Sequence, residues 1–198
     1  MDYGKGPFWH CNHGKLFMGI QSEKETPFYY SYPNMPTTGT ILLDGKEISV
    51  KGSTWFDKQG GIFNFLNIHT HWEWFSMRFY DQEEIMLFHF PQQNYRDGTY
   101  IRKGCISQRL NQYHMGPTGF VEKNGYRFSC GWQLEMPGIK DEHYKIVPII
   151  DGQLNLAYFE QLCYIYDKDS REVGMCFVEL LPGVYNRKID GKLLLKKF

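Results

Sequence analysis

Residues 71–90 read HWEWFSMRFYDQEEIMLFHF, and this stretch decides the fold class. Between Trp72 and Tyr80 the side chains alternate in character, which puts Phe75, Met77 and Phe79 on one face. A period of two is typical of a β-strand, in which successive side chains point to opposite faces of the sheet. A short acidic segment then leads into a second apolar run. The stretch therefore predicts an aromatic-rich antiparallel hairpin, whose first strand carries on its other face Trp72, Trp74, Ser76, Arg78 and Tyr80.

Turn dipeptides divide the rest of the chain into short strands. Asp44-Gly45, Asp97-Gly98, Asn124-Gly125 and Asp151-Gly152 each stand beside a run of β-branched or aromatic residues, and this combination is a hairpin signal. No window of a dozen residues has an apolar stripe at helical spacing that is free of Gly and Pro. We therefore predict an all-β fold, in which about eight to ten strands close into an antiparallel barrel with room inside for one small ligand.

Charge and hydropathy exclude several classes of partner. The chain has 22 basic and 22 acidic residues and no formal net charge, so it lacks the basic surface that binds nucleic acid or an anionic membrane. No apolar run approaches the roughly 20 residues of a membrane span, and the first residues lack the apolar segment of a signal peptide. We expect a cytoplasmic protein without a membrane span. Aromatic residues make up 17% of the chain, which favours a hydrophobic small-molecule ligand.

Cofactor motifs are missing from the sequence. The five cysteines are widely spaced and form no C-x-x-C pair, so neither a zinc ribbon nor a dithiol redox site is predicted. His69 and His71 could share a strand face, but two histidines without a third ligand specify no metal. No phosphate-binding loop, dinucleotide fingerprint or G-x-S-x-G motif occurs. The sequence therefore predicts no cofactor, no metal and no serine-hydrolase site.

Asp57 is the candidate catalytic residue. It follows Ser53-Thr54-Trp55-Phe56, a run that favours a strand, and it lies two residues from Trp55 and so on the same face. A carboxyl that is desolvated among aromatic rings has a raised pKa and can act as a general acid. Ring faces can also stabilise a carbocation that forms when an alkene is protonated. The alternative is a structural carboxylate that accepts hydrogen bonds from turn amides around 58–60.

Four segments, in this order, carry a family resemblance. They are FYYSYP at 28–33, G-x-x-W-x-D at 52–57 followed by WEWF at 72–75, YFE at 158–160 and GMCFVELL at 174–181. Together they resemble the AttH-like group, which includes carotenoid hydratases and proteins labelled secreted hydrolases. The resemblance implies two lipocalin-like β-barrels in a protein longer than 198 residues. This chain would then consist of residues 1–38, which come from or cover a neighbouring barrel, and a lipocalin-like barrel at 39–198.

The resemblance also suggests a site. It maps the acid of the carotenoid hydratases onto Asp57, a neighbouring tyrosine onto Trp55, and a His-x-Trp pair onto Phe28 and Tyr30. Phenylalanine in place of that histidine removes a water activator, which leaves proton-initiated cyclisation or isomerisation open beside hydration. We assign further ligand contacts to motif residues, and expect Glu73 and Glu160 to pair across strands with Arg78, Arg109 or Arg127. The assigned ligand contacts are Phe28, Tyr30, Trp55, Trp72, Trp74, Tyr158 and Glu160.

Three functions remain open at this stage. The first is an enzyme that holds an isoprenoid or polyketide-like molecule of secondary metabolism in the barrel cavity, as a lyase (hydratase) or as a cyclase or isomerase. The second is a non-catalytic carrier of the same kind of ligand, which needs only apolar walls. The third is a structural partner barrel. A homo-oligomer or a partner barrel on another chain is compatible with each of them.

Overall fold

The computed structural model describes residues 4–17, 27–62, 71–155 and 158–181, which form two antiparallel sheets. The small sheet has three strands, β1 (Phe8–Trp9), β2 (Phe28–Leu43) and β3 (Lys46–Gly60), in that order. The large sheet has ten. They are β4 (Glu73–Phe79), β5 (Glu84–Phe90), β6 (Tyr95–Ile101), β7 (Ser107–Arg109), β8 (His114–Lys123), β9 (Tyr126–Glu135), β10 (His143–Pro148), β11 (Gln153–Asn155), β12 (Tyr158–Asp167) and β13 (Glu172–Leu180).

The large sheet curls into a half-barrel. Its strand order is β7-β6-β5-β4-β13-β12-β10-β9-β8, and β11 pairs with β12. The predicted all-β, lipocalin-like antiparallel architecture is confirmed. Two of the predicted turn dipeptides join neighbouring strands, since Asp44-Gly45 links β2 to β3 and Asn124-Gly125 links β8 to β9. All four residues have positive φ, between 49° and 79°, as the tightest hairpin turns require.

Side chains fill the inner side of the curled sheet. One apolar cluster draws buried residues from β4, β5 and β6 and from β9, β10, β12 and β13. Within it, Phe75 and Trp132 meet edge to face at 5.1 Å, and Phe128 stacks on Phe159 at 4.5 Å. Leu110 and Tyr113, from the segment between β7 and β8, complete this core. The inside of the curled sheet is therefore largely a packed core.

A second apolar cluster lies on the outer side of β4 and β5, where the small sheet packs. Trp72, Trp74 and Phe88 meet Tyr29 of β2 there. The predicted alternation along β4 is thus confirmed, because Phe75, Met77 and Phe79 enter the first cluster while the neighbouring tryptophans enter the second.

Polar contacts fix the small sheet on the large one. The Lys5 ammonium lies 2.8 Å from the buried Glu84 carboxylate, which also accepts a hydrogen bond from Asn34 at 3.0 Å. Arg78 donates to the Ser53 carbonyl at 2.8 Å. The two contacts of Glu84 are part-buried, so they fix the position of one sheet on the other more firmly than exposed ion pairs do.

β2 runs through the predicted domain boundary between 38 and 39, and β3 also belongs to the small sheet. The division into domains stays a prediction. Two other sequence expectations need adjustment. Asp97-Gly98 is not a turn but lies inside β6, where the buried Asp97 carboxylate binds Arg109. Glu73 pairs with His89 at 3.2 Å rather than with an arginine.

In the described ranges, no helix has the length and apolar character needed to span a membrane.

Candidate functional site

A groove of about 700 Å³ lies between β3 and the outer side of β4 and β13. Asp57 of β3 stands directly opposite Ser31 of β2, and Glu179 of β13 stands directly opposite Trp74 of β4, so each sheet contributes one carboxyl to the groove. Aromatic, acidic and basic side chains share the lining. Its residues are Ser53, Trp55, Asp57, Trp74, Ser76, Arg78, Phe79, Tyr80, Leu162, Met175, Cys176, Phe177 and Glu179.

Asp57 is half-buried in this groove and is held by side chains. Its Oδ1 accepts a hydrogen bond from the Ser31 hydroxyl and another from Trp55 Nε1 at 2.7 Å, and Tyr29 hydrogen-bonds to the same carboxyl. Burial raises the pKa of the Asp57 carboxyl, although these donors and the Arg78 guanidinium oppose the rise. β3 continues to Gly60, so no turn follows Asp57 to supply the amide donors of the structural alternative.

Behind Asp57, Ser31 connects the carboxyl to a buried imidazole. His10 Nε2 lies 2.6 Å from Ser31 Oγ. His10 is fully buried, and burial lowers its pKa to about 3, so the ring is neutral at physiological pH. The Ser31 hydroxyl has one proton and donates it to Asp57; it must therefore accept from His10, which fixes the Nε2–H tautomer. His10, Ser31 and Asp57 thus form a directed series of hydrogen bonds.

Aromatic rings form one wall of the groove. Trp55 and Trp74 meet edge to face, with ring centroids 6.2 Å apart. The Arg78 guanidinium lies over the Trp55 ring at 5.7 Å from its centroid. Trp74 Nε1 is buried and has no hydrogen-bond partner among the described residues. The wall therefore combines apolar ring surface with a cation and an indole donor.

A second carboxyl, that of Glu179, lines the same groove. Its Oε1 accepts a hydrogen bond from Trp72 Nε1 at 3.1 Å. Burial raises the pKa of Glu179, and the carboxyls of Glu160 and Asp57 raise it further. Glu160 stands directly across from Glu179 in the pairing of β12 with β13. Two acids of raised pKa therefore share one groove, an arrangement that is common where a protein handles protons.

A known protein family matches most of this chain. The model of the AttH-like family matches residues 4–183, a range that includes both sheets and every groove residue. The chain belongs to the AttH-like family.

Two solved structures are similar to this AttH-like fold. A protein of Nitrosomonas europaea assigned as an AttH is 16% identical, with a TM-score of 0.73 over 89% of this chain and 59% of that one. Kievitone hydratase of Nectria haematococca is also 16% identical, with a TM-score of 0.69 over 87% of this chain and 57% of that one. This chain therefore spans less than three fifths of either relative. A comparison with curated proteins finds no match.

The AttH-like fold brings together some of the residues assigned from the sequence. Asp57, Trp55 and Trp74 line the groove. Next to the groove, Trp72 donates a hydrogen bond to Glu179, and its ring centroid is 6.0 Å from that of Tyr158. Glu160 stands opposite Glu179 in the strand pairing. None of these residues lies inside the curl of the large sheet. Trp55 and Asp57 belong to the small sheet, and the others lie on the outer side of the large sheet, which faces it.

Phe28 and Tyr30 are not brought to Asp57. They lie on the opposite face of β2, against Trp9, whose ring centroid is 6.4 Å from that of Phe28 and 5.0 Å from that of Tyr30. The positions of β2 that do face Asp57 are Tyr29 and Ser31, because alternate residues of a strand share a face. Phe28 and Tyr30, onto which the resemblance maps the His-x-Trp pair, therefore do not contact Asp57, and their role as ligand contacts stays a prediction.

Several residues of the site were not assigned from the sequence. Ser31 and Tyr29 lie within the quoted FYYSYP segment, and strand alternation could have found them once Asp57 was chosen. His10 is 21 residues from Ser31 along the chain, and no local signal marks it. The sequence assigns Arg78 only to cross-strand pairing, and Glu179 has no role beyond its place in the GMCFVELL segment. Their place in the groove depends on the packing of the two sheets.

Metal binding finds no support in the described ranges. They contain no group of three His, Cys, Asp or Glu side chains that could hold a metal ion. Of the His69–His71 pair, His69 lies outside the described residues.

Ser31→Ala tests whether the Ser31 hydroxyl lowers the pKa of Asp57. A hydrogen bond from Ser31 favours the ionised carboxylate and lowers the pKa of Asp57, so we expect the variant to raise that pKa further. A general acid would then stay protonated, and active, to higher pH. Titration of ¹³C-labelled aspartate carboxyls by NMR measures the shift without a substrate. Ser76→Ala removes another groove hydroxyl and serves as the control; an unchanged Asp57 pKa in Ser31→Ala would contradict the assignment.

Proposed function

We propose that this AttH-like protein binds an apolar, alkene-containing small molecule in the groove and adds water to a double bond by acid catalysis. The observation that carries the proposal is a carboxyl of raised pKa, held by three side-chain donors, beside an aromatic wall. The match to the AttH-like family and the similarity to a hydratase fold support the same reaction type. Isoprenoids and polyketide-like molecules are the substrate class that fits such a wall.

In the proposed reaction, Asp57 donates a proton to one alkene carbon. Oδ1 already accepts from Ser31 and Trp55, so the transferable proton belongs on Oδ2. The electron pair of the double bond forms the new C–H bond, and the neighbouring carbon becomes a cation. Since Arg78 lies over Trp55, Trp74 is the ring of this wall that we assign to the cation, which its π-electrons would stabilise.

Water completes the proposed cycle. Its oxygen bonds to the cationic carbon, and the surplus proton returns to the Asp57 carboxylate, which restores the acid. Glu179 is the group that orients this water, because its carboxyl lines the groove and can accept a hydrogen bond. It takes the role of the histidine that Phe28 replaces in the mapped motif. Loss of a proton from a carbon next to the cation would instead give an isomerised alkene.

The test is a mass balance on candidate alkenes. The purified chain is incubated with a panel of isoprenoid and prenylated aromatic alkenes in H₂¹⁸O, and the products are separated by mass spectrometry. Hydration incorporates one labelled oxygen, isomerisation in D₂O incorporates deuterium without oxygen, and the boiled protein is the blank. Saturable binding of an apolar probe with no turnover of any alkene would favour the carrier function, for which the ring surface of the groove is sufficient.

A further inference from the structure

His10 is a buried titratable side chain that the proposed reaction leaves without a role. It directly follows β1 and is fully buried. Its amide donates to the Tyr29 carbonyl at 3.1 Å, and its carbonyl accepts from the Gly14 amide at 2.8 Å. The imidazole packs beside the Tyr29 ring, with ring centroids 4.9 Å apart. Backbone and ring are therefore both held in place by neighbouring residues of the same chain.

The two nitrogens of the His10 ring have different surroundings. Nε2 lies 2.6 Å from Ser31 Oγ, whereas the buried Nδ1 has no hydrogen-bond partner among the described residues. Buried N–H groups that lack an acceptor are rarer in proteins than buried acceptors that lack a donor. A proton on Nδ1 would be such a donor. The surroundings of Nδ1 therefore indicate, independently of Ser31, that the proton of the neutral ring is on Nε2.

The other tautomer would reverse the series of hydrogen bonds. With a bare Nε2, the Ser31 hydroxyl would donate its one proton to His10 and would have to accept from Asp57. The proton of Asp57 would then lie on Oδ1 and point to Ser31 rather than to a substrate. Oδ1 would also become a hydroxyl oxygen, a weaker acceptor for the Trp55 Nε1–H at 2.7 Å. The tautomer of His10 thus decides which oxygen of Asp57 carries the proton.

We propose that His10 is a positioning residue, whose Nε2–H holds the Ser31 hydroxyl on Asp57 Oδ1 and so leaves the transferable proton to Oδ2. This role rests on the proposed function, which is what uses that proton. Burial lowers the pKa of His10 to about 3, so the ring stays neutral near physiological pH. A hydroxyl that accepts a hydrogen bond is also polarised into a better donor. His10 therefore lowers the pKa of Asp57 through Ser31.

NMR of the ¹⁵N-labelled wild type measures the tautomer directly and needs no substrate. Long-range ¹H–¹⁵N correlation distinguishes a protonated ring nitrogen from a bare one. We expect His10 to carry its single proton on Nε2 at every pH between about 5 and 8. The exposed His13 is the internal reference for a ring in contact with water. A proton on Nδ1 of His10, or on both of its nitrogens, would overturn the proposal.

A double-mutant cycle tests whether His10 acts through Ser31. His10→Leu removes the donor and should raise the pKa of Asp57, measured on ¹³C-labelled aspartate carboxyls. His10→Gln, whose amide nitrogen can take the place of Nε2, should restore most of the wild-type value. In a Ser31→Ala background, His10→Leu should cause no further shift, because coupled residues do not add. Tyr29 and Arg78, which also act on the Asp57 carboxyl, are the same in every variant.

Two results of the cycle would contradict the positioning role. The first is an equal shift from His10→Leu with and without the Ser31 hydroxyl, since the ring would then act by packing alone. The second is an unchanged Asp57 pKa in a folded His10→Leu variant. If His10→Leu does not fold, the tautomer in the wild type still decides.

Turnover separates this role from the proposed function. If an alkene is hydrated, His10→Leu should lower kcat and leave KM unchanged, because the buried ring does not reach the groove, and His10→Gln should recover part of the loss. A normal kcat in folded His10→Leu would overturn the positioning role. A wild type that hydrates no alkene, but has the Nε2–H tautomer and the expected cycle, would contradict the proposed function and still support the positioning of Ser31 by His10.

Discussion

Asp57→Asn is expected to lower turnover of an alkene substrate by roughly two to four orders of magnitude, the usual contribution of a positioned general acid. The amide keeps the size of the carboxyl, and its oxygen can still accept from Ser31 and from Trp55 Nε1, which is 2.7 Å from Oδ1. What it lacks is a transferable proton. Binding of the substrate and the fold should therefore be kept while the chemical step is lost.

The pH dependence of stability separates this role from a structural one. Burial raises the pKa of Asp57 in the folded chain above its unfolded value, so the folded state favours the neutral acid. The stability that this preference contributes is fully present below the unfolded pKa and is lost as pH rises through the folded pKa. We expect the wild type to lose stability over that window and Asp57→Asn not to lose it. Urea unfolding at several pH values measures both curves.

Asp44→Asn is the matched control for this variant. It makes the same chemical change at the exposed tip of the same hairpin, and asparagine tolerates the positive φ of 49° at that position. Its activity and its stability curve should follow the wild type. Asp57→Asn that unfolds early but has normal activity per folded molecule would show that the carboxyl serves only the packing of Ser31, Trp55 and Tyr29.

The second large effect is expected at Asp97, whose carboxylate is fully buried. It accepts two hydrogen bonds from Arg109, at 2.9 and 2.6 Å, one from the Gly98 amide at 2.9 Å and one from the Tyr95 hydroxyl at 3.2 Å. Asp97→Ala would leave all these donors without their acceptor, and we expect the free energy of unfolding to fall by about 3 kcal/mol. Equilibrium denaturation in urea gives the value.

Asp169→Ala is the reference for an exposed pair. Asp169 lies 2.9 Å from Arg171, and both side chains are more than half exposed, so removal of this pair should cost about 1 kcal/mol or less. A loss for Asp97→Ala no greater than that for Asp169→Ala would mean that the buried network does not stabilise the fold.

Local patterns predicted the fold because they act over a few residues. Alternation along β4 and the positive-φ turns at Asp44-Gly45 and Asn124-Gly125 need no information from the rest of the chain. Asp97-Gly98 has the same composition as a turn, yet Arg109, 12 residues further on, holds Asp97 inside a strand. Neighbouring residues give no sign of a partner this far along the chain, which is why the turn prediction was wrong at this position.

The difference between short-range and long-range interactions also explains which parts of the site could be predicted. Trp55 and Asp57 were placed on one face correctly, since two residues along a strand suffice for that inference. The facing residue, Ser31, depends on the pairing of β2 with β3, and a shift of one residue exchanges the faces of a strand. Mapping by motif spacing chose Phe28 and Tyr30 and so selected the other face. The groove itself depends on how two sheets pack, which neither strand encodes alone.

The place of β13 in the large sheet has a consequence for synthesis of the chain. β13 pairs with β4 on one side and with β12 on the other, and its partners in β4 lie about 100 residues earlier. The ribosome therefore releases β4 long before the strand that covers its edge exists, and contacts of such long range form slowly. Until β13 arrives, β4 and β12 both present open edges rich in apolar side chains, the kind of surface that aggregates during folding. A chaperone that holds the nascent chain over this interval would raise the yield of the native protein.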